Sequence, residues 1–181
     1  WARRMIGHCK EYFRELDAAI RRLVELAGED AQVFFASDHG FSASTMMVKI
    51  NSVLHHLGYL AWKPADDSES GVRREKAWFA NLDWQKTIAY CQTPSSNGIT
   101  IRIAKRPGMP GVRPSVYEEF REKLIADLKT VTDENGRPVF TAIRRREDVY
   151  PGPAMREAPD LLLELSDFGF VSISDGPMVQ K

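Results

Sequence analysis

The stretch Gln32-Val33-Phe34-Phe35-Ala36-Ser37-Asp38-His39-Gly40-Phe41 decides how this chain is read. Its first half is an apolar, β-rich run of strand length. Apolar on both faces, it predicts a central strand covered by helices on each side. Its second half is a polar turn that begins where the run stops, and ligands of open α/β sheets bind beyond the carboxyl ends of strands. Neighbouring side chains within a strand point to opposite faces, so adjacent Asp38 and His39 would diverge there. In a turn the backbone can swing both toward one point, and Gly40 permits that bend because it tolerates positive φ. A hard carboxylate oxygen beside an imidazole nitrogen suits Zn²⁺, Mn²⁺ or Fe better than Ca²⁺. The same residues also make an Asx-type turn or a helix entry. Two ligands alone fall short of a site.

Outward from this stretch the pattern is helical on both sides. Met5, Cys9, Phe13, Leu16, Ile20, Leu23, Val24 and Ala27 recur at helical spacing and predict one amphipathic helix over 1–27, closed by Gly28. Ile50, Val53, Leu54 and Leu57 predict a second, ended by Gly58. Helix, buried strand, polar loop, helix is an α/β pattern. Further strands are predicted over 87–91, 99–103, 139–143, 159–165 and 168–173, with turns at 94–98 and 133–136. A helix opens at Pro114, with Tyr117, Phe120, Leu124 and Leu128 as its apolar stripe. Residues 63–76 are polar and read as an exposed excursion.

The 181 residues are 43% hydrophobic and 28% charged, enough for one domain or a large part of one. Lys and Arg total 25, as do Asp and Glu, which argues against nucleic acid as the main partner. No apolar run approaches the roughly 20 residues that span a bilayer. Cys9 and Cys91 do not make a disulfide framework, and each is predicted to be a small buried hydrophobe. The chain opens at Trp1 without an initiator Met, and no secretory segment is visible. It reads as a piece of a longer protein, expected in the cytoplasm.

The loop with its preceding run, 33–41, resembles the metal-binding strand and loop of the type I phosphodiesterase/nucleotide pyrophosphatase family, in the alkaline phosphatase superfamily. Other stretches fit in order. Tyr12 with Leu16-Asp17 resembles the helix before that strand, and Asn51 through Leu54 to Gly58-Tyr59-Leu60 the helix after it. Asp83-Trp84-Gln85-Lys86-Thr87-Ile88-Ala89-Tyr90 resembles the "DWS-T-AY" stretch of the predicted phosphohydrolase/phosphomutase members. Ala158-Pro159-Asp160-Leu161-Leu162 resembles the late strand. The fold implied is a three-layer α/β/α sandwich. Residues 1–181 would form part of one catalytic domain lacking its N-terminal half and extreme C-terminus, with 61–112 as an inserted, substrate-side subregion.

The resemblance implies that Asp38 and His39 bind one metal of a two-metal centre, with two Zn²⁺ expected and Mn²⁺ or Fe as substitutes. It implies hydrolysis of a small phosphorylated substrate, a phosphodiester or phosphomonoester, through a Ser or Thr nucleophile outside this chain. No catalytic residue is then expected within the chain, which alone would be inactive. His8, His55 and His56 do not match the family's other ligand motifs and read as helix residues. One stretch departs from the pattern: Arg102 stands where members have Asn, and Lys105-Arg106-Pro107-Gly108 replaces a Gly-Arg-Glu. Arg102, Lys105 and Arg106 either meet an anionic substrate or are solvated loop charges. Arg144-Arg145-Arg146 reads as a solvated run offset by Glu147 and Asp148, and Trp62, Trp78 and Trp84 as packing. The alternatives are a sulfatase or phosphoglycerate-mutase-type member, or a binding domain with a degenerate site.

Overall fold

Helix α1 (Ala2–Ala27) forms where the apolar residues keep a period of 3.6, and Gly28 closes it at φ 89 with its N–H on the Glu25 carbonyl at 3.3 Å. The structure is a computed structural model that describes residues 1–40, 43–64, 68, 79–93, 97–166, 169–174 and 176–180. Most of the polar excursion 63–76, Phe41, Trp78, the 94–96 part of the expected turn and Phe168 lie outside the described residues. The chain divides into two units, Trp1–Phe41 and Ser42–Lys181.

The first unit holds α1 and the Asp38-His39 loop. No residue of α1 is buried, so Cys9 is exposed rather than an interior hydrophobe. The expected strand at 32–36 is not formed: the segment is irregular, with Phe34 80% and Phe35 72% exposed. A strand exists only where its N–H and C=O groups meet a neighbour's, and no described strand pairs with this run. Apolar β-rich residues supply propensity. Pairing has to come from elsewhere.

The second unit contains two sheets. Strand β1 (Met47–Lys49) runs straight into α2 (Ile50–His56), which ends with Gly58 at φ 83. Strands β2 (Ala89–Cys91) and β3 (Gly98–Ile101) follow. Pro114–Val116 forms a 3₁₀ turn leading into α3 (Tyr117–Lys129). Then come β4 (Phe140–Arg145), the short α4 (Arg146–Val149), a 3₁₀ segment at Pro153–Glu157, β5 (Leu161–Leu165), β6 (Phe170–Ser172) and β7 (Val179–Gln180). One sheet has order β2-β3-β5-β4 and is antiparallel throughout. The other has order β6-β1-β7, with β1 parallel to β6 and antiparallel to β7.

Alternation places one face of the antiparallel sheet inside: Cys91, Ile99, Ile101, Leu161 and Leu163 are buried. The stripe of α3 joins the same cluster through Leu124 and Leu128, both fully buried, with Tyr117 and Phe120 partly so. From α2, Ile50, Val53 and Leu54 complete it. A buried amide links the two sheets: Asn51 Nδ2 donates to the carbonyls of Cys91 and Ile173 at 3.2 and 3.4 Å, while its Oδ1 accepts the Cys91 N–H at 2.8 Å. The outer strand β4 carries Arg144, paired with Glu164 at 2.5 Å, and Arg145, paired with Glu122. Such charges keep an open edge from recruiting another strand.

Candidate functional site

The loop at Ser37–Gly40 turns back on itself through its own polar groups. Ser37 Oγ donates to the His39 carbonyl at 2.7 Å, and the His39 N–H donates to Asp38 Oδ1 at 3.1 Å. The turn therefore does what a strand forbids, and the two neighbouring side chains converge: Asp38 Oδ2 lies 3.4 Å from His39 Nε2. Both are open to solvent, the Asp38 side chain at 86% and that of His39 at 60%.

The imidazole tautomer follows from its contacts. His39 Nδ1 lies 3.1 Å from the Gly40 carbonyl, which can only accept, so Nδ1 carries the proton in that hydrogen bond. Nε2 faces the carboxylate oxygen, as an ion pair when the ring is protonated and as a second donor atom beside it when the ring is neutral. Two ligands about 2.0–2.1 Å from one tetrahedral cation are separated by about 3.3 Å. The observed 3.4 Å matches that span, and a carbonyl on the distal ring nitrogen is the usual support for a ligating histidine. The donor set fits a divalent cation of the zinc type. Among the described residues no third His, Cys, Asp or Glu joins the pair.

The remaining sequence candidates separate cleanly. Arg102 is not a freely solvated charge. It donates to the carbonyls of Trp84 and Thr87, and its guanidinium stacks 5.3 Å from the Trp84 ring centre. Lys105 and Arg106 are exposed on a loop with Arg113, and none of the three has an ion pair with a described residue. Trp84 packs edge-on against Tyr90, and Trp62 is half-buried. His55 Nδ1 is engaged with the Leu60 carbonyl at 2.9 Å, as a structural residue would be.

Of the three consecutive arginines, Arg146 departs from the solvated reading. Its Nη1 lies 3.1 Å from Asp160 Oδ1, and its backbone N–H donates to the Asp160 carbonyl at 3.3 Å. Asp160, 4% exposed, also accepts the Ile101 N–H on Oδ2 at 2.6 Å and the Tyr117 hydroxyl on Oδ1 at 2.5 Å. Burial, reinforced by that carboxylate, pushes the Tyr117 phenol up to about 12. Arg121, buried beneath the Tyr117 ring, bonds Glu147 at 2.8 and 3.0 Å and Glu118 at 2.8 Å. No local motif announces this network, because its members come from β3, α3, α4 and the approach to β5. The faint signal was a carboxylate, Asp160, placed directly before a run of leucines.

No helix among the described residues is long and apolar enough to cross a membrane. Neither the curated proteins nor the solved structures yield a match to this chain. A family model does, over residues 7–179, and its description is type I phosphodiesterase / nucleotide pyrophosphatase. Such membership implies an α/β fold, hydrolysis of phosphodiester or pyrophosphate bonds, and general use of divalent metals. With nearly its whole length matched, the chain belongs to the type I phosphodiesterase/nucleotide pyrophosphatase family.

Proposed function

We propose that the complete protein is a metal-dependent phosphohydrolase or phosphodiesterase in which Asp38 and His39 hold one divalent cation, with Zn²⁺ the best fit. The observation that carries this reading is the 3.4 Å approach of Asp38 Oδ2 to His39 Nε2 in a loop of the matched family region. Asp38 contributes charge through Oδ2 while its Oδ1 stays anchored on the His39 amide. Gly40 orients the ring through its carbonyl. When bound, the metal supplies a Lewis acid that lowers the pKa of a hydroxyl nucleophile and stabilises charge on phosphoryl oxygens. The further ligands and a Ser or Thr nucleophile come from residues other than these two.

Asp38→Asn keeps the size and the Oδ1 hydrogen bond but removes the charge. In the complete protein it should lower bound metal, measured by elemental analysis, and reduce turnover of bis(4-nitrophenyl) phosphate by about 100-fold or more. Loss of an outer-shell partner alone costs about 10–100-fold, and a direct ligand should cost no less. Parallel rates on 4-nitrophenyl phosphate separate diesterase from monoesterase. Unchanged metal content and unchanged turnover would remove Asp38 from the centre.

A further inference from the structure

The Asp160 network forms one wall of a pocket of about 490 Å³, within the usual range for small-molecule sites. Its apolar surface comes from Ile101, Ile103, Pro114, Ala158 and the Tyr117 ring. Its polar surface comes from Gln92, Thr100, Arg146, Arg156 and Glu157. Acceptors and donors are unequally spent. Both Asp160 oxygens are engaged, by Tyr117, Arg146 and the Ile101 amide. Arg146 is fixed through Nη1 and Nε, on Asp160, the Ala158 carbonyl and Glu147, and its Nη2 is left over. The side chains of Arg156 and Gln92 form no hydrogen bond or ion pair with any described residue.

A pocket with an apolar floor and unspent guanidinium and amide donors calls for a ligand with one oxyanion group and an apolar body. Glu157, exposed among the lining residues, opposes a ligand with a second, separate anionic group, since that group would meet a carboxylate. We propose that this pocket binds a small organic anion, its carboxylate or phosphate-monoester headgroup held by Arg156 and the remaining nitrogen of Arg146, its body lying on Ile103, Pro114 and the Tyr117 ring. Arg156 is the recognition residue and Asp160 a positioning residue that sets the angle of Arg146. The inference is independent of the metal assignment at Asp38 and His39, because it is read from binding alone.

The test is a titration of the full chain followed by amide NMR, with benzoate and phenyl phosphate as the two headgroup arms. Inorganic phosphate and benzyl alcohol each supply half of the ligand. Benzoate, phenyl phosphate or both should saturate shifts at Ile101, Ile103 and Tyr117 with Kd on the order of 1 mM, which ligands of this size allow. Each half-ligand should bind about tenfold more weakly. Arg156→Gln, an exposed change that breaks no bond, should weaken binding about tenfold. Thr100→Trp should abolish it by filling the pocket, and Arg106→Gln should leave it unchanged. Absence of saturable shifts at those three amides, equal binding of inorganic phosphate, or equal weakening by Arg106→Gln would each overturn the proposal.

Discussion

Tyr117 and Asp160, 43 residues apart, share a hydrogen bond of 2.5 Å between the phenol and Oδ1. It joins the first turn of α3 to the start of β5, and it makes the packing of helix on sheet depend on one proton. The phenol, ordinarily at 10.0, is pushed up to about 12, first by burial and then by the carboxylate beside it. A raised pKa means that the folded state keeps the proton longer than the unfolded chain. The contribution is therefore complete below pH 10.0 and is lost as pH climbs toward about 12. Tyr117→Phe should cost about 1–2 kcal/mol in urea unfolding at neutral pH. The gap between the two proteins should close across that alkaline window, and a gap that stays constant to pH 12 would contradict the assignment.

Asn51 is 1% exposed and satisfies three backbone groups at once. Asn51→Ala removes the amide that the Cys91 N–H and the carbonyls of Cys91 and Ile173 bond inside. Each such group costs about 1–3 kcal/mol, with partial relief from relaxation, so a total loss of about 2–4 kcal/mol is expected. Chemical denaturation measures it. A change below about 0.5 kcal/mol would mean that the amide link between the two sheets is not made.

The two cysteines should react differently. Cys9 is exposed, whereas Cys91 is buried and its thiol is pushed up to about 11 by that burial. Thiolate is the reacting species, so Cys91 is doubly protected at pH about 8. Iodoacetamide should add one adduct to the native chain and two in denaturant, as read by intact mass. Rapid native labelling of both would contradict the burial of β2.

Gly111 sits at φ 133, and an added Cβ would lie 2.7 Å from the Arg102 carbonyl and 2.9 Å from the Ala104 nitrogen. The loop folds back here, with the Val112 N–H on the Arg102 carbonyl at 2.7 Å and the Ala104 N–H on the Val112 carbonyl at 2.9 Å. Gly111→Ala should destabilise by at least about 2 kcal/mol, whereas Gly136→Ala, with open space around its Cβ, should cost less. Thermal unfolding of the pair checks the order.

What could be read from residue order was whatever depends on near neighbours. The stripe of Tyr117, Phe120, Leu124 and Leu128 predicted α3, and Pro114 its opening. Gly28 and Gly58 marked two helix ends. The Asp38-His39 pair was visible because both members are adjacent, and a turn alone brings them together. Gln32–Ala36 misled because propensity was visible and pairing was not. Strand β1 escaped notice for the opposite reason: three residues carry no readable alternation, and their structure is conferred by β6 and β7. Arg146 and Arg102 looked like surface charge since nothing local revealed Asp160 or Trp84 beside them.

The parallel pairing of β1 with β6 has a consequence for synthesis. Met47 meets Phe170, so β1 emerges from the ribosome long before either flanking strand exists. At about 5–20 residues per second that interval is on the order of 10 s. During it, Met47–Lys49 has no hydrogen-bonding neighbour in its sheet, while β2 and β3, close in sequence, can already zip together. The nascent chain can thus form the β2–β3 hairpin first, while both sheets wait for the last strands, β5 for one and β6 and β7 for the other, a vectorial order imposed by topology.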